Sequence, residues 1–583
     1  MEKRALLAFG LILLVWVLTT TPTYQSLFFG DEPAAEAPEF ASETSPLPAE
    51  EQSRIEAETV VDIPAPMRAE VTEPVLSDEE TGATLSEERR QVWDRDEQLL
   101  TLRPDSASVP ARKISVDSEL YQGEFDTRGG VITSWQLKDY EGIDAPWVEL
   151  IPQGLGGGPD VFVSSESGVI DFSQVIFDVS ESNVVVNGSR PSRTMEFRYE
   201  HQSGLGLIKR YTFSRDDYGV ALEVSLTGTD KAALGNKYYV RWGGGINITE
   251  PDRDRDLFDF RSFRYVGDQV DEQDIGTDEI QIEPLSGETH WVGVRSKYFF
   301  IGLAPEERAG VGSLLSGKPL TDASGSTYRQ MSAEIDMSLS NDVSDRYLLY
   351  LGPVDYELLL SYDNHFEEVV YLGWSFLKFF SYYILVGMIW LHQGISNYGV
   401  VIIVLSVIVK VVLYPLTYKS MMSMQNMQKV QPKMEELRAK YKNDAQKLQK
   451  EMMKLYKEQG VNPVGGCLPM VLQMPILFSL YSIFNSTIEI RREPFVDMWI
   501  TDLSQADPLY ILPALMGVSM LVQSMMTMKD PRQKAFVYMM PVMLIFFMYN
   551  MPSGLILYWT MINILTIVQQ YFQNRFMPTA STT

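Results

Sequence analysis

The sequence predicts a polytopic α-helical membrane protein that carries a large antiparallel β-sandwich domain outside the membrane. Long apolar runs fill the last third of the chain, and each is long enough to form a membrane helix. Short alternating runs occupy residues 111–356 and are typical of strands with one face in a core. Residues 1–22 add a separate apolar stretch behind a basic N-terminus.

The overall composition averages over these unlike parts. The chain has 583 residues, of which 45% are hydrophobic and 22% are charged, and its formal net charge is −28. A membrane part joined to a polar domain explains a mean hydropathy of only −0.08. The single cysteine, Cys467, excludes an intramolecular disulfide, so the polar domain must rest on a hydrophobic core.

The N-terminal stretch is interpreted as a retained membrane anchor. Lys3 and Arg4 precede an apolar run at 5–18, and no clear cleavage site follows it. A cleaved signal peptide is the alternative. Residues 23–110 are rich in Glu, Pro, Ala and Ser, and we expect them to form an acidic disordered linker because they bury too little apolar surface.

Residues 111–356 are expected to form the antiparallel β-sandwich. Two runs flank a turn-like segment at 216–219, and their alternating residues should enter one core: Tyr211, Phe213, Val220, Leu222 and Val224. After the Gly129-Gly130 turn, every second residue should face that core in the same way: Val131, Thr133, Trp135 and Leu137.

No motif in the chain indicates catalysis, a metal or a cofactor. The glycine-rich segments 154–158 and 243–245 do not open a helix and lack the Lys-Ser/Thr of a nucleotide loop. The four histidines are scattered without ligand spacing: His201, His290, His365 and His392.

Charge sets the predicted topology of the apolar third. The segment around 417–463 carries an excess of Lys and Arg, which the positive-inside rule places in the cytoplasm. The basic loop 529–534 then falls on the same side, and the acidic segment 486–508 falls outside. The expected spans lie near 397–416, 464–484, 509–528, 535–551 and 555–571. Both chain termini are expected in the cytoplasm.

Residues 357–391 are predicted to lie along the outer membrane surface as an interfacial amphipathic helix region. A crossing at 371–391 would place the basic segment outside the cell. The last two spans have about 17 residues each, about 25 Å of helix, and are expected to thin the bilayer locally.

The cytoplasmic segment 417–463 is predicted to be a helical hairpin. Asp444 should cap its second helix, and Pro432 should lie in the first turn of a helix after a break. Four methionines form a candidate cytoplasmic entrance: Met421, Met422, Met424 and Met427. Methionines usually fill cores, but their soft side chains also suit varied apolar ligands.

Lys410 is the main functional candidate because it lies inside an apolar run with Ser406 one turn before it. A cation at membrane depth costs about 3 kcal/mol unless water or a partner reaches it. Snorkelling to the membrane surface is the alternative. Further polar residues recur at membrane depth, singly typical of helix–helix contacts and together indicating a hydrated cavity: Gln473, Gln523, Asn550, Thr560 and Asn563.

Several motifs in this order carry a resemblance to a known family. They read YPLTYKSMMSMQNMQKVQPKMEELR (414–438), NPVGGCLPMVLQMPILFSLY (462–481), DPLYILPALMGVSM and MPSGLILYW. The chain resembles the YidC/Oxa/Alb membrane-protein insertases, in the arrangement of the Gram-negative bacterial YidC type. The resemblance implies an N-terminal anchor plus a five-helix insertase core at 392–577, with a periplasmic β-sandwich domain.

The resemblance also implies activity, location and partners. Family members insert and fold inner-membrane proteins through a hydrophilic groove open to cytoplasm and lipid, alone or with the Sec translocon. The expected partners are nascent membrane proteins, the lipid bilayer and the Sec translocon, for a multi-pass protein of the bacterial inner membrane. Because no long basic tail follows the last span, the 417–463 hairpin is the expected ribosome surface. Neither a cofactor nor enzymatic activity nor a specific nucleic-acid sequence is implied.

Residue by residue, Lys410 matches the family's groove cation, where arginine is usual. Phe and Tyr occur in some relatives where this chain has Leu477 and Trp559. With the polar residue Gln473 added, the expected substrate groove contains Lys410, Ser406, Gln473, Met474, Pro475, Leu477, Pro552, Tyr558 and Trp559.

Two other classes of function are alternatives to insertion. A solute transporter could use Lys410 as a counter-charge for its substrate, but it predicts inverted repeats or broken helices that the sequence does not display. An intramembrane protease lacks a plausible base, since His392 is the one histidine near the core spans and lies before the Lys410 run.

Overall fold

The structure is a computed structural model that describes residues 99–101, 110–166, 168–231, 234–276, 280–321, 327–460, 468–527 and 534–576. The anchor predicted at 1–22 and most of the linker predicted at 23–110 lie outside the described residues. Residues 426–460 belong to a unit distinct from the rest of the described chain, and they are described separately below.

The strands form the domain that precedes the membrane helices. Their bounds are β1 (Leu99–Thr101), β2 (Lys113–Asp117), β3 (Tyr121–Asp126), β4 (Val131–Leu137), β5 (Val148–Glu149), β6 (Asp160–Ser165), β7 (Gly168–Asp171), β8 (Asp178–Val179), β9 (Asn183–Val185), β10 (Ser192–Glu200), β11 (Gly206–Ser214), β12 (Gly219–Thr227), β13 (Leu234–Trp242), β14 (Arg261–Val266), β15 (Gln269–Gln273), β16 (Gln281–Arg295), β17 (Phe299–Pro305), β18 (Gly310–Thr321), β19 (Thr327–Ser338) and β20 (Val343–Pro353).

These strands make two sheets. The larger has 15 strands, in the order β1-β7-β6-β13-β19-β18-β16-β17-β20-β12-β11-β10-β8, with β14 and β15 branching from β16. The smaller has 5 strands, in the order β5-β4-β3-β2-β9. Pairing is antiparallel except between β1 and β7 and between β2 and β9. The antiparallel sandwich that the sequence predicts is confirmed.

The core of the sandwich takes its side chains from alternating strand positions. Tyr211 and Phe213 on β11 have no exposed surface, and the alternating residues of β12 are equally buried. Trp135 on β4 stacks on Tyr121 of β3, with ring centroids 4.3 Å apart. The prediction of one shared core for the runs around 216–219 is therefore confirmed.

The simple alternation predicted for β4 is wrong in its first half. Ile132 is fully buried in place of Val131 and Thr133, whereas Trp135 and Leu137 face the core as expected. A β-bulge causes the change: Phe125 pairs with Ile132, whereas the preceding residue of β3 pairs with Ser134. Thr133 is the extra residue, and an extra residue reverses the face of everything before it.

One short helix lies between β13 and β14, and the other helices follow β20. Their bounds are α1 (Arg253–Phe258), α2 (Tyr356–Leu360), α3 (Ser375–His392), α4 (Tyr398–Val412), α5 (Tyr414–Lys440), α6 (Ala445–Glu458), α7 (Leu468–Ser486), α8 (Ile511–Thr527), α9 (Lys534–Met548) and α10 (Ser553–Phe576). Short 3₁₀ turns occur at Thr229–Lys231, Phe366–Val369 and Ile488–Ile490.

The membrane helices pack around α10. Helix α10 lies against α4, α7 and α8, while α9 packs on α8 and α3 packs on α7 and α4. Of the described helices, Ser553–Gln573 has the length and hydropathy to cross a membrane alone, with 21 residues, and α4 with α5 would be a second, bent span. Phe376–His392, Ile511–Met526 and Val537–Met548 are shorter apolar helices.

The expectation that the last two spans are equally short is wrong for the second of them. Helix α10 has 24 residues, which correspond to about 36 Å at 1.5 Å per residue. A bilayer core of about 30 Å does not have to thin around such a helix. Helix α9, with 15 residues, is the short member of the pair. The prediction failed because polar residues near the end of α10 were counted as loop.

Residues 426–460 form a helical hairpin with a small core of its own. Val430 and Met434 of α5 pack against Met452 and Leu455 of α6. The predicted cap is confirmed, since the Asp444 carboxylate accepts the backbone N–H of Lys447 at 3.0 Å.

The break predicted before Pro432 does not occur. Helix α5 runs without interruption through Pro432. A proline inside a helix forfeits one backbone hydrogen bond, and the long stretch of helix on both sides of it, including the packed residues Val430 and Met434, compensates for that loss.

A buried ion pair joins the sandwich to the loop between α7 and α8. The Arg491 Nε lies 2.6 Å from Glu250 Oε1, and both side chains are almost completely buried. The guanidinium also donates to the backbone carbonyls of Glu141 and Thr249 and lies 5.3 Å from the centre of the Phe299 ring. Arg491 thereby fixes the loop to the sandwich, and the adjacent Arg492 adds a more exposed ion pair with Glu141 at 3.0 Å.

Asp256, the last carboxylate of α1, orders the segment that carries Glu250. It has no exposed surface, and its Oδ2 accepts the backbone N–H groups of Thr249 at 2.7 Å and Glu250 at 3.1 Å. Burial raises the pKa of Asp256 to about 7. The neighbouring Arg255 donates to the side-chain Oδ1 of Asn485 at 2.9 Å, which links α1 to the end of α7.

Candidate functional site: a polar strip around Lys410

Helix α4 presents Lys410 at its C-terminal end. Asn397 caps the helix by accepting the Val400 N–H at 3.1 Å. One face, which includes Val401 and Ile402, is buried against the other helices. The opposite face stays exposed, as a lipid-facing surface would: Val407, Ile408, Val411 and Val412.

Lys410 reaches across to α10 rather than out of the helix bundle. Its Nζ donates to the Thr566 Oγ1 at 2.8 Å. The same hydroxyl donates its own proton to the Ile562 carbonyl at 2.6 Å, so its lone pairs are free to accept from the ammonium. Among the described residues no carboxylate balances the charge of Lys410. The ammonium keeps two further N–H donors for a ligand.

Ser406 lies one turn from Lys410, but its hydroxyl is not open to a ligand. The side chain has no exposed surface, and its Oγ donates to the Ile402 carbonyl of its own helix at 2.7 Å. Bonding back to the helix is the usual state of a serine buried in a membrane helix.

Helices α7 and α10 bring several other predicted groove residues together. The Gln473 side chain lies beside the Tyr558 hydroxyl, and Tyr558 is fully buried. Leu477 of α7 and Trp559 of α10 are partly buried against the same apolar core.

The remaining predicted residues lie at the edges of this region. Met474 and Pro475 are partly exposed on α7, while Pro552 is buried just before α10. Pro475 lies inside α7, where it removes one backbone hydrogen bond and leaves a carbonyl for another donor.

The four methionines predicted as an entrance are divided between two units, and their role as an entrance stays a prediction. Met421, Met422 and Met424 are partly exposed on the first part of α5. Met427 packs against the core of the separate hairpin unit. For Met427 the structure therefore shows the core-filling role that methionines most often have.

Sequence reasoning missed the residues of α10 that contact Lys410 and its neighbours. Thr566 binds Lys410, and Gln569 donates through its Nε2 to the Thr417 Oγ1 at 3.4 Å. Asn563, which the sequence analysis did single out, lies nearer the start of α10 and donates to the Ser519 Oγ of α8 at 3.1 Å. A spacing of three residues in an apolar helix was the available signal, because it places polar groups on one face.

Comparison with known proteins identifies the family to which this chain belongs. The family model described as 60Kd inner membrane protein matches residues 390–580, and the model of the YidC periplasmic domain matches residues 113–386. A membrane protein insertase YidC of Chlorobium luteolum is 34% identical over 80% of this chain and 83% of its own length. The chain belongs to the YidC family of membrane protein insertases.

A second relative agrees with this assignment. A membrane protein insertase YidC of Chlorobaculum parvum is 34% identical, over 79% of this chain and 82% of its own length. A solved structure of an active YidC insertase matches 85% of this chain and 99% of that chain, with a TM-score of 0.36 and 18% identity.

Membership in the family establishes what the chain does in general terms. The protein is an insertase of the inner membrane whose clients are nascent membrane proteins, and its β-sandwich is the periplasmic domain. The relatives form a non-enzymatic family. The resemblance found in the sequence is confirmed, and the solute-transporter alternative is not favoured.

Proposed function

We propose that client helices enter the membrane along a groove between α4, α7 and α10, and that Lys410 draws in their polar or acidic flanks. The carrying observation is the Lys410 ammonium, which is fixed by Thr566 and has no carboxylate partner among the described residues. An acidic group that enters from the cytoplasm would supply the missing counter-charge and reduce the cost of a buried cation.

The apolar part of the client has its own surface in this proposal. Leu477 and Trp559 pack against the helix core while keeping part of their surface exposed, and Met474 and Pro475 are partly exposed as well. Partly exposed apolar and aromatic groups can accept a hydrophobic helix without a fixed sequence. The client would then leave sideways into lipid, since no binding energy specific to one client holds it.

We place the groove in a multi-pass topology with both termini and the 417–463 segment in the cytoplasm. Helix α3 supports a position along the outer membrane surface because one of its faces is buried against the bundle and the other is exposed. Leu377, Leu385 and Met388 are buried against the bundle, whereas its aromatic residues are exposed, as in a helix that lies at a membrane interface: Phe376, Phe379, Phe380, Tyr383 and Trp390.

The Sec translocon and the ribosome are proposed partners as well. The hairpin at 426–460 carries nine Lys and Arg residues against five Asp and Glu residues, which makes it basic overall. A basic cytoplasmic surface attracts ribosomal RNA through its phosphates without reading a sequence.

The proposal is tested by reconstituting the purified protein in liposomes without nucleotide. A single-span client with an acidic N-terminal flank should become protected from external protease as it inserts, and protein-free liposomes should leave it accessible. The transporter alternative predicts saturable uptake of a small anion instead. Anion uptake without client protection would overturn the proposal.

A further inference from the structure

Beyond Lys410, the cytoplasmic half of α10 carries a continuous strip of polar residues. Asn563, Thr566, Gln569 and Gln573 follow one another at spacings of three or four, so they lie on one face of the helix. We call these four residues the α10 strip. The opposite face is apolar and exposed at Ile564 and Val568.

The first two residues of the α10 strip form hydrogen bonds with side chains of other helices. Asn563 donates to Ser519 at 3.1 Å, and Thr566 accepts from Lys410 at 2.8 Å. Gln569 is only half engaged. Its Nε2 donates to Thr417 at 3.4 Å, while its Oε1 is buried and accepts no hydrogen bond.

The last residue of the α10 strip, Gln573, forms no side-chain hydrogen bond with any of the described residues. Gln573 is only 6% exposed, and both its Oε1 and its Nε2 are buried without a hydrogen-bond partner there. Buried polar atoms in folded proteins are nearly always paired, so an unpaired amide marks a place where another polar group belongs.

We propose that Gln569 and Gln573 bind the polypeptide backbone of the client's polar flank as it passes from the cytoplasm toward Lys410. This inference rests on the groove proposed above. A carboxamide offers one acceptor and two donors. It therefore matches the N–H and C=O of a peptide unit, and it carries no charge that would select acidic or basic side chains.

Lys410 and the two glutamines recognise different parts of the client, because an ammonium and a carboxamide differ in charge. Lys410 attracts negative charge on client side chains, whereas the glutamines recognise the main chain, which every client shares. An unfolded flank has backbone groups without partners, and these need new partners once water is left behind. Gln569 and Gln573 supply such partners about one helical turn apart.

The test removes the amides from the protein and the N–H donors from the client. The variant Gln569→Leu/Gln573→Leu is compared with the wild type for two clients of equal length. One has a flank of Gly and Ser, and the other has a flank rich in Pro, which lacks backbone N–H groups. Insertion is measured by protease protection in liposomes. Thermal unfolding in detergent shows whether each variant is folded, and equal amounts of folded insertase are compared.

The wild type should insert the Gly/Ser client about tenfold faster than the Pro client, as expected for two lost hydrogen bonds. The double leucine variant should insert the two clients at about the same rate. Gln569→Asn/Gln573→Asn should restore part of it, because asparagine keeps the amide. Gln393→Leu, the same substitution at the exposed end of α3, should leave the preference unchanged.

If the leucine variant inserts both clients more slowly by the same factor, the glutamines only support the fold. If it inserts both clients as fast as the wild type, the glutamines bind only water. Each result would overturn the inference. Failure of the groove itself gives a different pattern: Lys410→Leu would then leave an acidic-flank client unaffected, whatever the glutamines do.

Discussion

Replacement of Lys410 by leucine is expected to slow the insertion of a client with an acidic flank by about tenfold. Two unit charges about 4 Å apart attract by about 4 kcal/mol at an effective dielectric constant of about 20, and water in the groove leaves a fraction of this. A loss of about 1.4 kcal/mol corresponds to the tenfold change. The rate is measured by protease protection in liposomes.

Two matched variants separate the charge from its surroundings. Lys410→Arg should keep most of the rate, since it keeps a cation that can reach the Thr566 hydroxyl. For a client with an uncharged flank, Lys410→Leu should have little effect. If leucine and lysine insert the acidic client at the same rate, Lys410 is only a snorkelling residue at the end of α4.

The second large effect is expected at the buried ion pair between the sandwich and the α7–α8 loop. Arg491→Met should lower the free energy of unfolding by about 3–5 kcal/mol, because it leaves the Glu250 carboxylate buried without a partner. The quantity is obtained from urea unfolding of the full chain in detergent micelles.

An exposed pair provides the control for this substitution. Arg346 and Glu307 lie 2.6 Å apart, as close as the buried pair, but 59% and 50% of their side-chain surfaces are exposed. Arg346→Met should therefore cost less than about 1 kcal/mol. The double variant Arg491→Met/Glu250→Gln should be more stable than Arg491→Met alone. Equal costs at the buried and exposed pairs would contradict the role given to Arg491.

The fold class could be predicted from the sequence because it depends on patterns that act over whole segments. Apolar runs and period-two alternation follow from burial, and burial is decided over many residues at once. The β-bulge at Thr133 could not be predicted, since it depends on the partner strand β3. The uninterrupted helix at Pro432 and the full length of α10 were missed for a similar reason, because local signals suggested an end there.

The candidate site was predictable in part. Lys410 could be singled out because its charge conflicts with an apolar run, and Gln473 and Tyr558 do lie side by side. The role of these residues in a groove stays a prediction. Thr566 was not found, since a threonine in a membrane helix does not differ in sequence from one that only bonds to its own backbone, as this hydroxyl also does.

Thr566 also gives a physical context for the lysine at position 410, where the resemblance implies that arginine is usual. A single hydroxyl oxygen matches the compact ammonium group, whereas a guanidinium spreads its donors over a planar fork. The short reach from α4 to α10 therefore suits the residue that this chain has.

Photocrosslinking tests the central claim, that clients pass along the groove at Lys410, most directly. A photoreactive residue is placed at 410, 474 or 559, and at Phe546, which is 72% exposed on the peripheral helix α9. With a stalled nascent membrane protein, crosslinks are expected from the three groove positions and not from 546. Crosslinks of equal yield from 546 and 410, or none from the groove positions, would contradict the claim.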